Sequence, residues 1–219
     1  MNVVEKEFDA LAPEYENNRL SIWYQAHAEE MLRHSLNIDE GDILDIGCGT
    51  GHLLREYLKD KPNVRAVGVD ISSSMIDEAG RKASEAGLEN LKLIHADWES
   101  MSLASFSGYN FRIIFCANAF HYFTSPQEAS DKLYELLQED GTLYVMERNK
   151  ARSLMTFIWG ILHSIIIKDQ VVFYKNSDLI KFFENAGFKS VRIVSSIKKY
   201  FWKNKLFTSI VLIEGKKTR

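Results

Sequence analysis

The chain opens with two amphipathic stretches, about residues 4–18 and 21–37, whose apolar positions recur at helical spacing. From residue 42 the pattern changes: short β-branched runs alternate with helical patterns at regular intervals, which predicts a parallel sheet with covering helices. The runs are DILDIG (42–47), VRAVGVD (64–70), LKLIHA (91–96), FRIIFC (111–116) and GTLYVME (141–147), with helices over about 51–60, 73–86 and 126–138. Ser125-Pro126 is a start signal for the last of these helices. A further helix follows in NSDLIKFFENAGF, with Ser177 as its expected N-cap and Gly187 as its stop. Two more strands, in VRIVS and LFTSIVLIEG, close the chain.

A chain of 219 residues that is 46% hydrophobic and 12% aromatic can bury one sizeable core. The expectation is a single domain over 1–219, with residues 1–40 as an N-terminal helical cap and residues 150–175 as an apolar insertion after the fifth strand. Cys48 and Cys116 are too few for a disulfide framework, and MNVVEKEFDA lacks the basic head and apolar run of a signal peptide, so a cytoplasmic location is expected. Charge is uneven. Residues 1–149 carry 13 Lys and Arg against 26 Asp and Glu, whereas residues 150–219 carry 14 against 4, so one end is cationic. The segment SLMTFIWGILHSIII (153–167) has an apolar stripe through Leu154, Phe157, Ile158, Ile161, Leu162 and Ile165, with Trp159, Ile166 and Ile167 off it. At this length it is too short to span a bilayer. A roof over an apolar substrate, a homodimer contact and a peripheral membrane contact are all open for it.

Ligands of open α/β sheets bind beyond the carboxyl ends of the strands. Polar residues gather at those ends here: Asp45, Asp70, Asp97, Asn118 with His121, and Glu147 with Arg148. Between the first strand and its helix stands LDIGCGTG, with Gly47, Gly49 and Gly51. Such a loop is expected to turn backbone N–H groups and a helix N-terminus toward a ligand that comes close. The spacing is not that of dinucleotide enzymes, because His52 stands near where their pattern wants a third small residue. Asp70 ends the second strand, where a carboxylate can accept two ribose hydroxyls, so a nucleoside is the expected ligand.

LDIGCGTG, GVDIS followed by Met75, HADWES, FCANAFHYF and GTLYVMERN resemble, in order, the motifs of the class I S-adenosylmethionine-dependent methyltransferases. The chain is most similar to their small-molecule branch, the ubiquinone and menaquinone biosynthesis type. FDALAPEYENNR resembles that branch's N-terminal signature through Phe8, Asp9, Ala12, Tyr15, Glu16 and Arg19. The resemblance covers about residues 5–149 with specific motifs. It implies a Rossmann-like, doubly wound α/β sheet of seven strands, mostly parallel with the last antiparallel, and S-adenosylmethionine as cofactor. It places the methionine part against Asp45, Gly47, Cys48, Gly49 and Gly51, and the ribose on Asp70. Ile71 and Met75 would flank the adenine and Asp97 with Trp98 its amine edge. Ala117 and Asn118 would line the sulfonium, with Tyr15 and Arg19 closing over it.

His121 follows the fourth strand and is the candidate catalytic base. No cluster has metal-ligand spacing, so no metal is expected. The expected reaction is O- or C-methylation of a small hydrophobic or aromatic acceptor. An RNA- or protein-modifying methyltransferase is the alternative, because KKYFWKNK (198–205) interleaves lysines with aromatics. Net charge of −3 argues against a nucleic-acid partner. A nicotinamide-dependent oxidoreductase is a more distant alternative.

Overall fold

A computed structural model describes residues 3–17, 21–148, 172, 174–197 and 210–218, with the side chains of residues 21–24 left aside. Seven strands form one sheet in the order β3-β2-β1-β4-β5-β7-β6. They are β1 (Gly41–Ile46), β2 (Val64–Asp70), β3 (Leu91–His95), β4 (Phe111–Ala117), β5 (Leu137–Arg148), β6 (Lys189–Ile197) and β7 (Ile210–Lys216). β1 pairs in parallel with β2 and β4, and β7 runs antiparallel to both β5 and β6. The sheet is therefore doubly wound, and its strand order reverses between β1 and β4.

Helices are α1 (Val3–Leu11), α2 (Ser21–His34), α3 (His52–Leu58), α4 (Ser73–Glu85), α5 (Pro126–Leu136) and α6 (Asn176–Ala186). Strand alternation divides the core. Leu44, Ile46, Val67, Ile114, Cys116 and Val145 face Leu133 of α5, Leu179 and Phe183 of α6, and the loop residues Trp98 and Phe106. Ile43, Ala66, Ile113, Phe115, Tyr144 and Met146 face Met31 of α2 and Leu54, Tyr57 and Leu58 of α3. Covered on both sides, the central strands read as continuous apolar runs, as parallel strands do.

Some boundaries differ from expectation for local reasons. The first helical stretch is broken: α1 ends at Leu11 and a short 3-10 turn occupies Ala12–Glu14, because Pro13 cannot continue an α-helix. Ser177 does not cap α6. Lys175 holds the cap position with no side-chain bond, while Ser177 Oγ donates to Asp178 Oδ1 at 3.2 Å. Gly187 does end that helix, in a left-handed conformation with φ 109°. Residues 149–171, which carry most of the apolar insertion, lie outside the described residues, as does KKYFWKNK. Among the described residues no helix is long and apolar enough to cross a membrane.

The N-terminal cap is fastened by charge. Glu16 accepts bonds from Arg55 Nη2 at 3.0 Å on both carboxylate oxygens and pairs with Lys82 Nζ at 2.9 Å, and the Thr50 hydroxyl also donates to it. Burial would raise the Glu16 carboxyl, but the bonds from Lys82, Thr50 and Arg55 outweigh it and lower the group to about 2 from an ordinary 4.5. A second tie comes from Asp9, whose Oδ1 accepts from Ser72 Oγ at 2.6 Å and from Ser74 N at 3.1 Å. α1 is thus anchored at the start of α4, and the turn after it on α3 and the glycine loop.

A carboxyl lowered by folding stabilises the folded chain fully above its unfolded value and loses that contribution as pH falls through its folded value. For Glu16 the shift from 4.5 to about 2 corresponds to an upper bound of about 3 kcal/mol near neutral pH, of which roughly half is gone by about pH 3. Urea unfolding of wild type and Glu16→Gln should show a stability gap at about pH 6 that shrinks by roughly half at about pH 3. A gap independent of pH would refute the assignment.

Candidate active site

Three left-handed glycines build the loop after β1: φ is 72° at Gly47, 53° at Gly49 and 73° at Gly51. At Gly47 there is a second constraint, since a Cβ would lie 2.4 Å from that of Ala119. The loop after β4 is itself sharply turned, with Asn118 at φ 55°. Glycine at 47 therefore lets the loops after β1 and β4 touch, at the point where the strand order reverses.

The loop's N–H groups are directed inward. Gly47 N and Cys48 N donate to Val69 O at 2.8 and 3.1 Å, Gly51 N to Cys48 O at 2.9 Å, and Gly49 N to Asp70 Oδ2 at 2.7 Å. Three of these four amides hold β2 and its terminal carboxylate, and that of Gly51 closes the loop on itself, so none of the four is turned toward a ligand. A pyrophosphate would find those donors spent.

What the site presents is a set of buried acidic groups. Asp45, Asp70 and Glu147 are 2%, 9% and 0% exposed toward the ends of β1, β2 and β5, with β1 beside β2 and β4 between β1 and β5. Asp70 takes Gly49 N–H on one oxygen and Ser72 N–H on the other, the latter at 2.9 Å. Burial still raises its carboxyl against those bonds. Asp45 is pushed well above the carboxylate range, first by burial and then by Asp70, and its Oδ1 is buried with no hydrogen-bond partner.

Around this floor the structure gathers other expected residues. The Tyr15 ring lies 3.9 Å from the point a Cβ would occupy at Gly49. Phe8 packs edge-on against both Tyr15 and Tyr122, at centroid distances of 6.5 and 5.8 Å, and the His121 and Tyr122 rings are 4.1 Å apart. Ile71 is half-buried and Asp97 exposed at the neighbouring strand end, with Ala117 half-buried at the end of β4. Others are not presented. Met75 is fully buried within α4, Cys48 is packed in the core, and the Trp98 ring lies against Phe106. These three residues are 0%, 8% and 4% exposed in turn. Arg19 lies outside the described residues.

Three polar partners carried no assigned role in the motifs. His27 of α2 is buried, and Asn118 Nδ2 donates to its Nδ1 at 3.0 Å. Burial, helped by the charge of Arg148, lowers His27 to about 4, so it stays neutral and accepts. The Asn118 amide is thereby oriented, leaving Oδ1 buried with no partner. Glu147 is the second: its Oε1 lies 2.7 Å from His121 Nδ1 and accepts from Arg148 N at 2.8 Å, and its Oε2 accepts from His121 N at 3.2 Å. The third is Lys132, whose Nζ bridges the carbonyls of Trp98, Glu99 and Met101 at 2.8 to 3.1 Å and so fixes the loop that carries Asp97. No group of metal-ligating side chains occurs among the described residues.

Comparison with known proteins agrees with this architecture. The chain is 35% identical over 101 residues to the malonyl-[acyl-carrier protein] O-methyltransferase of Halalkalibacterium halodurans, covering 46% of this chain and 36% of that protein. It is 29% identical over 146 residues to the demethylmenaquinone methyltransferase of Chlamydia felis, covering 64% and 59%. The matches thus span between about a third and three fifths of the length of these curated relatives. Among solved structures, the phosphoethanolamine N-methyltransferase 2 of Haemonchus contortus, in complex with phosphomonomethylethanolamine and S-adenosylhomocysteine, superposes with a TM-score of 0.76 at 13% identity, over 96% of this chain and 58% of that one. A family model described as "Methyltransferase domain" matches residues 38–207, most of the length that folds into the sheet, and the chain belongs to that methyltransferase family.

Proposed function

We propose that the protein binds S-adenosylmethionine and transfers its methyl group to a small, hydrophobic or aromatic acceptor. The observation that carries this reading is the set of buried carboxyls at the strand ends together with the inward-turned amides of the glycine loop. Asp45, Asp70 and Glu147 form no ion pair with a Lys or Arg among the described residues, so a cationic ligand is favoured there over an anionic one. The orphaned acceptors Asp45 Oδ1 and Asn118 Oδ1 have the chemistry to receive an ammonium or polarised C–H donors. S-adenosylmethionine fits this donor set, and when bound it supplies a methyl group activated by a sulfonium.

The chain's own residues then have distinct tasks. The remaining lone pairs of Asp70 receive ribose hydroxyls, Ile71 and Asp97 flank the base, and Tyr15 closes the loop from above. Asp45 and Asn118 offer acceptors near β1 and β4. His121 Nδ1 lies 2.7 Å from Glu147 Oε1, so Nε2, outside that contact, is the nitrogen to take a proton from the acceptor. Phe8, Tyr15 and Tyr122 give the space beside His121 an aromatic wall, which supports an apolar or planar acceptor. The relatives' names, a malonyl carrier protein and demethylmenaquinone, show how far acceptors vary on this scaffold. The basic segment 198–205 and the apolar segment 153–167 lie outside the described residues and add no support to a nucleic-acid, dimer or membrane reading.

Two outcomes test this. Asp70→Asn keeps shape but removes charge from bonds worth about 1.5–3 kcal/mol each, so calorimetry should find S-adenosylmethionine bound roughly 10- to 100-fold more weakly. Unchanged affinity, or tight NADH binding by the wild type, would overturn the site. His121→Gln should leave cofactor affinity unchanged and lower turnover by roughly 10²- to 10⁴-fold on weakly acidic phenols, with a small effect on phenols already ionised. An equal loss on both would make His121 a pocket wall rather than a base.

A further inference from the structure

Glu147 is fully buried at the end of β5, and its described partners are two backbone N–H groups and the imidazole of His121. An ionised carboxylate in such a place is costly without compensation. Two amide dipoles offset part of that cost, and the remaining compensation comes from the ring 2.7 Å away. We infer that Glu147 is a positioning residue that holds a proton on His121 Nδ1, keeping Nε2 unprotonated toward the acceptor.

Three constraints make the orientation specific. Arg148 N and His121 N fix the carboxylate itself, donating to Oε1 and Oε2 respectively. That carboxylate can only accept, so Nδ1 must be the protonated nitrogen of the neutral ring. Contact with Tyr122, itself packed on Phe8, limits ring rotation from the side. When Nε2 takes a proton, the imidazolium forms against a carboxylate already in place. A carboxylate held by two backbone amides then gains a cationic partner in the ring 2.7 Å away.

The step would balance with the methyl donor as its one co-reactant. The acceptor's O–H or activated C–H bond would break toward Nε2 and its electron pair would form the new bond to the methyl carbon, while the bond from that carbon to the sulfonium sulfur would break with its pair left on sulfur as a neutral thioether, and the proton would rest on His121 until it leaves to water. The arrangement serves acceptors that must lose a proton, hydroxyls and carbon acids, and offers nothing to a tertiary amine. This deepens the reading of the site as a methyltransferase centre and rests on it.

Nitrogen-15 NMR of histidine-labelled protein tests the positioning without any acceptor. In the wild type at mildly alkaline pH, His121 is expected to show a protonated Nδ1 and an unprotonated Nε2. In Glu147→Gln, whose amide can donate to Nδ1, a fraction of at least about a third should shift to the Nε2–H form. Glu147→Asp, which can only accept, should hold the wild-type form or nothing else. Thermal unfolding and S-adenosylmethionine calorimetry are run on the same samples. If Glu147→Gln proves too unstable to assign, the wild-type and Glu147→Asp spectra decide. An Nε2–H tautomer in the wild type, or an identical tautomer ratio in a folded Glu147→Gln, would overturn the inference. Failure of the wild type to bind S-adenosylmethionine would instead overturn the methyltransferase reading and leave the tautomer result standing.

Discussion

The burial of acidic side chains at the carboxyl edge of the sheet is the constraint on which the site's geometry depends. Three acidic side chains end or nearly end β1, β2 and β5 at 9% exposure or less, where desolvation alone would oppose ionisation by several kcal/mol each. Each is accommodated differently. Asp70 recruits Gly49 N–H and Ser72 N–H, Glu147 recruits two backbone amides and an imidazole, and Asp45 retains an unpartnered oxygen and a raised carboxyl. The glycine loop is shaped by this requirement as much as by any ligand. Gly49 must bend back far enough for its amide to reach Asp70, which a left-handed φ allows.

The N-terminal segment depends on the same edge. Glu16 bonds the Thr50 hydroxyl in the glycine loop, with Arg55 and Lys82 supplying the charge that holds its carboxylate ionised. Asp9 bonds Ser72 Oγ, and Ser72 N donates to Asp70. One chain of hydrogen bonds therefore runs from α1 through Ser72 to the Asp70 carboxylate and on to Gly49. A displacement of the cap would be felt at Asp70 before any side chain of the cap touched a ligand.

The elements of the fold were legible because a parallel sheet declares itself locally: buried strands such as IIFC and continuous runs such as VGVD leave little other use for their residues. Boundaries were less legible where one residue overrode a periodic pattern, as Pro13 does in the first helical stretch. Motif residues at strand ends were also legible, since Asp45, Asp70 and Asn118 do converge. Burial is what the motifs do not carry. Met75, Cys48 and the Trp98 ring match motif positions and are buried, and no sequence spacing distinguishes a residue that lines a pocket from one that packs beneath it. His27 was not legible at all, because its partner Asn118 stands 91 positions away. Glu147 was visible as a strand-end carboxylate, but its role exists only through the pairing of β4 and β5, which brings Ala117 opposite Met146.

That pairing also separates the two chemical tasks. Asp70 ends β2 and His121 follows β4, and between them stands β1 alone, so two strand spacings of about 4.8 Å each hold the ends of the two strands roughly 10 Å apart. The separation of Asp70 from His121, the two groups to which the proposed function gives the nucleoside and the proton, is thus set by backbone hydrogen bonding across the sheet. On the proposed function, acceptor choice has no such support from the sheet. It would fall to what stands above the strand ends, where Phe8, Tyr15 and Tyr122 come from separate elements outside the strands. A scaffold built this way can keep its cofactor chemistry constant while its acceptors vary, because the two are carried by parts of the fold with different structural costs of change.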